Sequence, residues 1–254
     1  MALHYRTCGF VIKKSDAGES DRVFTVFSKD FGKVRILGKA IRKISSKLRS
    51  GIDAINFSEI EFIQGKAQKT LTDIEPLDCF RNIKCDLPRL KVAHRIADMV
   101  NSLVSGEQAD SVIYDLLNIS YSKLNEENLS SLQVQLVYFG FIWNLFSILG
   151  YKPEVYNCVV CQNRLDEDSI FFSPDGAGLV CSRCLGSVGM YKKINTDVVK
   201  ILRLIIKKDF NTLLKLSIPL ASGKILRTIS NQYYYYLLSV HLSCDDFNEK
   251  RMLI

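Results

Sequence analysis

The chain reads as an α+β multidomain protein: an N-terminal β-barrel, then an α-helical bundle interrupted by a four-cysteine ribbon. Three observations predict it. Over residues 1–80, short runs rich in Val, Ile, Phe and Thr alternate with turn signals. After Pro88 the apolar period changes from 2 to 3.6. Residues 156–189 then hold four of the eight cysteines between two helical stretches. The expected division is 1–80 as one domain and 81–254 as a second, with 156–189 set into the second.

The barrel strands are expected at 8–14, 22–28, 32–38, 58–64 and 69–75. Turn signals separate them: Asp16-Ala17-Gly18, Lys29-Asp30-Phe31-Gly32 and Gln64-Gly65-Lys66. In Glu59-Ile60-Glu61-Phe62 the alternation is clearest, with Ile60 and Phe62 on one face and carboxylates on the other. Five short strands in about eighty residues suit a small closed barrel, the OB-fold being one candidate. Closure also removes the exposed edges that such short strands would leave.

Leu90, Ala93, Ala97, Val100 and Val104 form one helical stripe, and Val134, Val137, Phe141, Leu145 and Ile148 a second. Leu132, Leu136 and Phe139 flank the second stripe, so that helix is apolar on two sides and belongs in the middle of a bundle. Gly150 and Pro153 end it. A third helix is expected near residue 195 with Thr196 as its N-cap, and a fourth over 220–242. Residues 128–151 carry no charge, a length that could span a bilayer. Asn128, Ser130, Ser131, Gln133, Gln135 and Asn144 interrupt the stretch, which favours a buried core helix in a soluble protein.

The cysteines follow the pattern Cys158-Val-Val-Cys161, nineteen residues, Cys181-Ser-Arg-Cys184. Two residues between paired cysteines let both sulfurs face one point from a tight turn. Two such turns present four thiolates at the corners of a tetrahedron, the donor set of a structural Zn²⁺. The spacer suits a hairpin: Ile170-Phe171-Phe172 out, a turn over 174–178, and Leu179-Val180 back. Four sulfurs close the coordination sphere, so one structural zinc is expected and metal-assisted hydrolysis is not. The remaining cysteines, Cys8, Cys79, Cys85 and Cys244, are scattered and read as packing residues, and His4, His94 and His241 are isolated.

Lys+Arg number 34 against 27 Asp+Glu, a net charge of +7. The excess is uneven: Lys33, Arg35, Lys39, Arg42, Lys43, Lys47 and Arg49 fall within seventeen residues that contain no acid. A solvated loop would explain charge alone. Placement at the end of a barrel strand favours a phosphate-binding stripe, the cationic half of a single-strand groove. Phe10, Phe24, Phe27, Phe31 and Phe57 lie nearby in sequence and are mostly expected inside the barrel. No Walker loop and no catalytic constellation is visible, so an enzyme is not expected. Nor is a leader segment, and the cysteines are judged as those of a reducing cytoplasm.

The order of barrel, basic loop, bundle and inserted ribbon resembles the RecO family of recombination mediators. Residues 19–28 (ESDRVFTVFS) with 31–33 (FGK) look like the family's second strand and turn. Residues 38–43 (GKAIRK) with Ser45-Ser46 are similar to its basic loop, and 149–153 (LGYKP) leads into Cys158-x-x-Cys161 as in the family. The chain departs where the family usually has Gly, at Ala40 or Ile41, and at Gln162, where Cys-Gly is usual. Some members lack the cysteines, which ties zinc to stability. The resemblance implies an OB-fold barrel and DNA repair and recombination without catalytic turnover. It implies binding of single- and double-stranded DNA and annealing of complementary strands. With RecR, such a protein would help load RecA onto DNA coated by single-stranded DNA-binding protein (SSB). It also implies a cytoplasmic, nucleoid-associated protein with no membrane partner. The rival reading is an OB-fold and zinc-ribbon RNA-binding protein associated with translation, which would prefer folded RNA.

Overall fold

The computed structural model describes residues 3–43, 46, 48, 52–165 and 169–251, with side chains as far as residue 240. Contacts divide the chain into two compact units, Met1–Leu129 and Ser130–Ile254.

In the first unit, β1 (Leu3–Ala17), β2 (Asp21–Ser28), β3 (Gly32–Gly38), β4 (Phe57–Gln64) and β5 (Lys69–Asp78) close into a barrel of order β1-β2-β3-β5-β4. All neighbours are antiparallel except β3 and β5, which meet in a parallel seam of two pairs, Ile36–Lys69 and Leu37–Thr70. β1 is long enough to pair with β2 along one half and β4 along the other, and its ladder with β2 slips between Val11 and Lys13. That bulge bends the strand to close the cylinder. Strand alternation sends Phe24, Val26, Val34, Ile36, Ile60 and Phe62 into a dry interior. Ile41 and Ile52, from the connection between β3 and β4, plug the same core.

Three helices complete this unit: α1 (Arg81–Cys85), α2 (Leu87–Leu103) and α3 (Ser111–Asn125). Asp86 caps α2 by accepting from the Arg89 N–H, with Pro88 in the first turn. Asp110 caps α3 from the N–H groups of Val112 and Ile113. Arg89 is buried, 7% exposed, and its Nη1 donates to the carbonyls of Leu124 (3.2 Å) and Glu126 (2.6 Å). A cation thus meets the carbonyl end of α3, where helix polarity favours it. A second aromatic layer packs Phe10 against Phe57, Phe80, Tyr114 and Tyr121. Burial there pushes the Tyr114 hydroxyl up to about 12.

The second unit holds α4 (Ser131–Ile148), a sheet of β6 (Ile170–Ser173), β7 (Gly178–Cys181) and β8 (Lys192–Ile194) in the order β7-β6-β8, then α5 (Thr196–Ile206), α6 (Phe210–Leu213) and α7 (Leu220–Arg251). α4 begins with a complete capping box between Ser130 and Gln133. By length and composition it could cross a membrane, but two thirds of it is buried in the protein, the position of a core helix. Trp143 donates its indole N–H to Ser230 Oγ (2.9 Å) and packs against Phe146, Phe172 and Tyr233. This cluster ties β6 to α4 and α7.

Each expected strand is present, with β1 and β5 longer than the apolar pattern indicates. α3 and β8 were not anticipated. The N-cap of α5 is Asn195, not Thr196: the Asn195 side-chain Oδ1 accepts from Val198 N–H at 3.0 Å, and Thr196 is the first helical residue.

Candidate nucleic-acid interface and four-cysteine centre

The outer surface of β2 and β3 carries the residues that the interior does not. Val23 faces Leu37 and Thr25 faces Arg35 across the ladder. Beyond β3 the chain turns sharply. Ala40 N–H donates to Asp21 Oδ1 (2.7 Å), and Arg42 N–H to the Ser20 carbonyl (3.0 Å). Ile41 is driven into the barrel core, which turns Lys39, Arg42 and Lys43 outward.

Of the seven basic residues, Arg35, Lys39, Arg42 and Lys43 are exposed. Arg42 lies 3.4 Å from Asp16, which also accepts from Arg22 Nε at 2.7 Å. The Arg22 hydrogen bond holds the Asp16 carboxyl below its ordinary range. Lys33 is half-buried and donates to the Asn101 carbonyl (2.8 Å). Lys47 and Arg49 lie outside the described residues. Among the described residues, no carboxylate pairs with Arg35, Lys39 or Lys43. Phe10, Phe24 and Phe27 are fully buried, and Phe31 stacks edge-on against Tyr5 and Phe62, so these rings build the barrel.

Sequence reasoning missed a cleft on the same surface, of about 310 Å³, beside the parallel seam. It is lined by Val23, Arg35 and Leu37 from β2 and β3, by the β4–β5 turn, and by Lys69 and Glu107. No local pattern could reveal it, because its walls come from segments as far apart as Val23 and Glu107.

In the second unit the four cysteines converge as their spacing requires. All four Sγ atoms lie within 4.8 Å of one another, and Cys161 and Cys181 are 3.9 Å apart. A tetrahedron with metal–sulfur bonds of about 2.3 Å has sulfurs about 3.8 Å apart, so the donor set fits a zinc ion. The first knuckle is a tight turn, with Gln162 N–H donating to the Cys158 carbonyl (2.9 Å). Val159 N–H to the Leu179 carbonyl (2.8 Å) fastens that turn to β7. Gly178 lets the Glu154 backbone pass so close that a Cβ would sit 2.6 Å from its carbonyl oxygen. Cys184 stands on a 3₁₀ turn, Ser182–Ser187. Burial would raise the Cys158 thiol, but N–H groups of Cys161, Cys181 and Val160 bring it down to about 6. Hydrogen bonding with Cys181, then burial, pushes Cys184 up to about 12. One sulfur is thus poised as a thiolate, and a dication would draw the proton from the others.

Asp175 locks the hairpin turn, accepting from Ser173 Oγ (2.5 Å) and Gly189 N–H (2.6 Å). Arg203 of α5 donates to the Val155 carbonyl (2.8 Å) and lies 4.8 Å over the Tyr156 ring. Of the scattered cysteines, Cys8 and Cys79 are half-buried and Cys85 is exposed, while the side chains of His241 and Cys244 lie outside the described residues.

Comparison with known proteins places both parts in one family. The family model described as Recombination protein O N terminal matches residues 1–80, and that described as Recombination protein O C terminal matches 85–243. The chain is 31% identical over 244 residues to the DNA repair protein RecO of Acetivibrio thermocellus, covering 96% of each chain. It is 27% identical to that of Alkaliphilus metalliredigens, again with 96% of each covered. For Halalkalibacterium halodurans the identity is 28%, with 96% of this chain and 94% of the relative covered. A closed five-stranded OB barrel, a four-cysteine ribbon and matches along nearly the whole length agree: the chain belongs to the RecO family of DNA repair proteins.

Proposed function

We propose that the barrel, residues 1–80, binds single-stranded and double-stranded DNA through Lys33, Arg35, Lys39, Arg42, Lys43, Lys47 and Arg49. In this reading the protein anneals complementary strands without turnover. The observation that carries it is the exposed run Arg35, Lys39, Arg42 and Lys43 at and beyond the end of β3, on the face OB barrels use for oligonucleotides. Cations there neutralise phosphates on two strands and lower their mutual repulsion, while base pairing supplies the free energy. Family membership supports RecR and SSB as partners, RecA loading as the outcome, and a cytoplasmic, nucleoid-associated location.

Cys158, Cys161, Cys181 and Cys184 would hold one Zn²⁺. Bound there, the ion supplies a cross-link between the two knuckles, with no vacant position for substrate. The chain's own residues do the rest: Asp175 fixes the hairpin turn and Arg203 anchors the ribbon to α5.

The test is annealing of two complementary oligonucleotides, bare and coated by SSB, with no nucleotide added. Acceleration that is lost in the triple variant Lys39→Glu, Arg42→Glu, Lys43→Glu is the expected result. No acceleration, with strong binding to folded RNA, would overturn the reading.

A further inference from the structure

The cleft beside the parallel seam combines features that a merely cationic face does not need. Its floor is apolar: Val23 and Leu37 are ladder partners, both half-buried on the outer surface of the barrel. Gln64 and Gln68, from the ends of the β4–β5 turn, bring amides to the wall, and Arg35 brings a guanidinium. At about 310 Å³ the space lies at the small end of ligand clefts.

The remaining wall is an ion pair. Lys69 Nζ donates to both carboxylate oxygens of Glu107, at 2.7 and 2.6 Å. The lysine side chain is 15% exposed and the glutamate 51%. The cation is therefore largely covered while its partner stands half in water. Glu107 is held there by the connection between α2 and α3, which crosses Gly32 so closely that a Cβ would lie 2.1 Å from the Gln108 carbonyl. Gly32, with φ +63°, is the residue that permits this approach.

We infer that this cleft seats one unstacked nucleotide of a single strand. The base lies on Val23 and Leu37 with its edge toward the glutamine amides, and the phosphate lies between Arg35 and Lys69. Glu107 occupies the phosphate's place in the free protein and is displaced on binding. The largely covered lysine keeps an anionic partner in either state, so the exchange leaves no unpaired cation. A base inside a duplex cannot reach the floor, so the cleft discriminates single strands from duplex. This inference rests on the proposed DNA binding by the barrel and names its specificity-determining residues.

Glu107→Gln, on an exposed connection, tests it by fluorescence titration of an oligothymidylate and of a duplex. Without Glu107 the phosphate no longer has to displace a carboxylate from Lys69, which adds about one net charge neutralised on binding. The single-strand salt slope should then steepen by about 0.7, a gain of about fourfold near 0.15 M salt. Duplex affinity should change by less than that. Leu37→Ser should weaken the single strand and leave the duplex unchanged. Equal gains for both DNAs in Glu107→Gln, or none, overturn the cleft. If the triple charge-reversal variant weakens binding as expected, the broader reading survives that result. If the triple variant binds normally, the broader reading falls and this inference falls with it.

Discussion

Ala40 and Gln162 sit at φ 51° and 59°, in the left-handed region where a Cβ is disfavoured. These fall where the chain departs from the glycines usual in the resembling family, and the structure gives the departure its physical meaning. An L-residue in that region costs roughly 1–2 kcal/mol, against roughly 0.5–1 kcal/mol for the extra freedom glycine brings to the unfolded chain. Gln162→Gly should therefore stabilise the protein by about 0.5–1 kcal/mol, read as a rise in the urea midpoint. Arg89 predicts the opposite sign. Arg89→Met leaves the carbonyls of Leu124 and Glu126 without their donor, a loss of about 2–3 kcal/mol in urea unfolding at unchanged slope. Neither backbone angle nor a buried arginine is visible in a sequence window. Both depend on contacts the chain makes elsewhere.

Elements were legible where their pattern was strong. The five barrel strands declared themselves through alternation and turn residues, because one face of each fills a closed interior. α3 did not: Ser111, Asp115, Asn118 and Ser122 form its exposed face, but the buried Ser120 falls inside the apolar stripe of Ile113, Leu117, Tyr121 and Leu124 and blurs its period. β8 has only three residues, too few to set a period. The ribbon was legible because metal chemistry fixes cysteine spacing more tightly than packing fixes a helix. Cys181→Ser should accordingly lose bound metal, measured by atomic absorption, and loosen the ribbon. Full stability with no zinc in the native protein would contradict that.

Asp53 bridges β1 and α1 through Lys14 Nζ (2.5 Å) and Lys84 Nζ (3.8 Å). Burial opposes its ionisation, but the Lys14 and Ala54 hydrogen bonds hold the carboxyl below its ordinary value. A depressed native pKa means stabilisation is complete above the unfolded value of about 3.9 and is lost as pH falls through the native one. The urea midpoint should fall as the pH drops below about 4, and Asp53→Asn should flatten that fall.

For the whole molecule, net charge of +7 matters less than its distribution. With about four phosphate contacts, log K for a single strand should fall with log salt at a slope of about −3. A salt-independent affinity would remove the phosphate stripe from the account. The family, barrel and cysteine cluster could all be read from the sequence, while the cleft at Val23, Leu37 and Glu107 needed the folded chain. One consequence concerns light. The chain has a single tryptophan, and Trp143 is fully buried with its ring edge-on to Phe172 of the ribbon sheet. Its emission is therefore an intrinsic optical gauge of ribbon docking: a chelator that merely removed an ion held by the four cysteines would leave the spectrum blue, and one that lifted β6 from the helices would redden it.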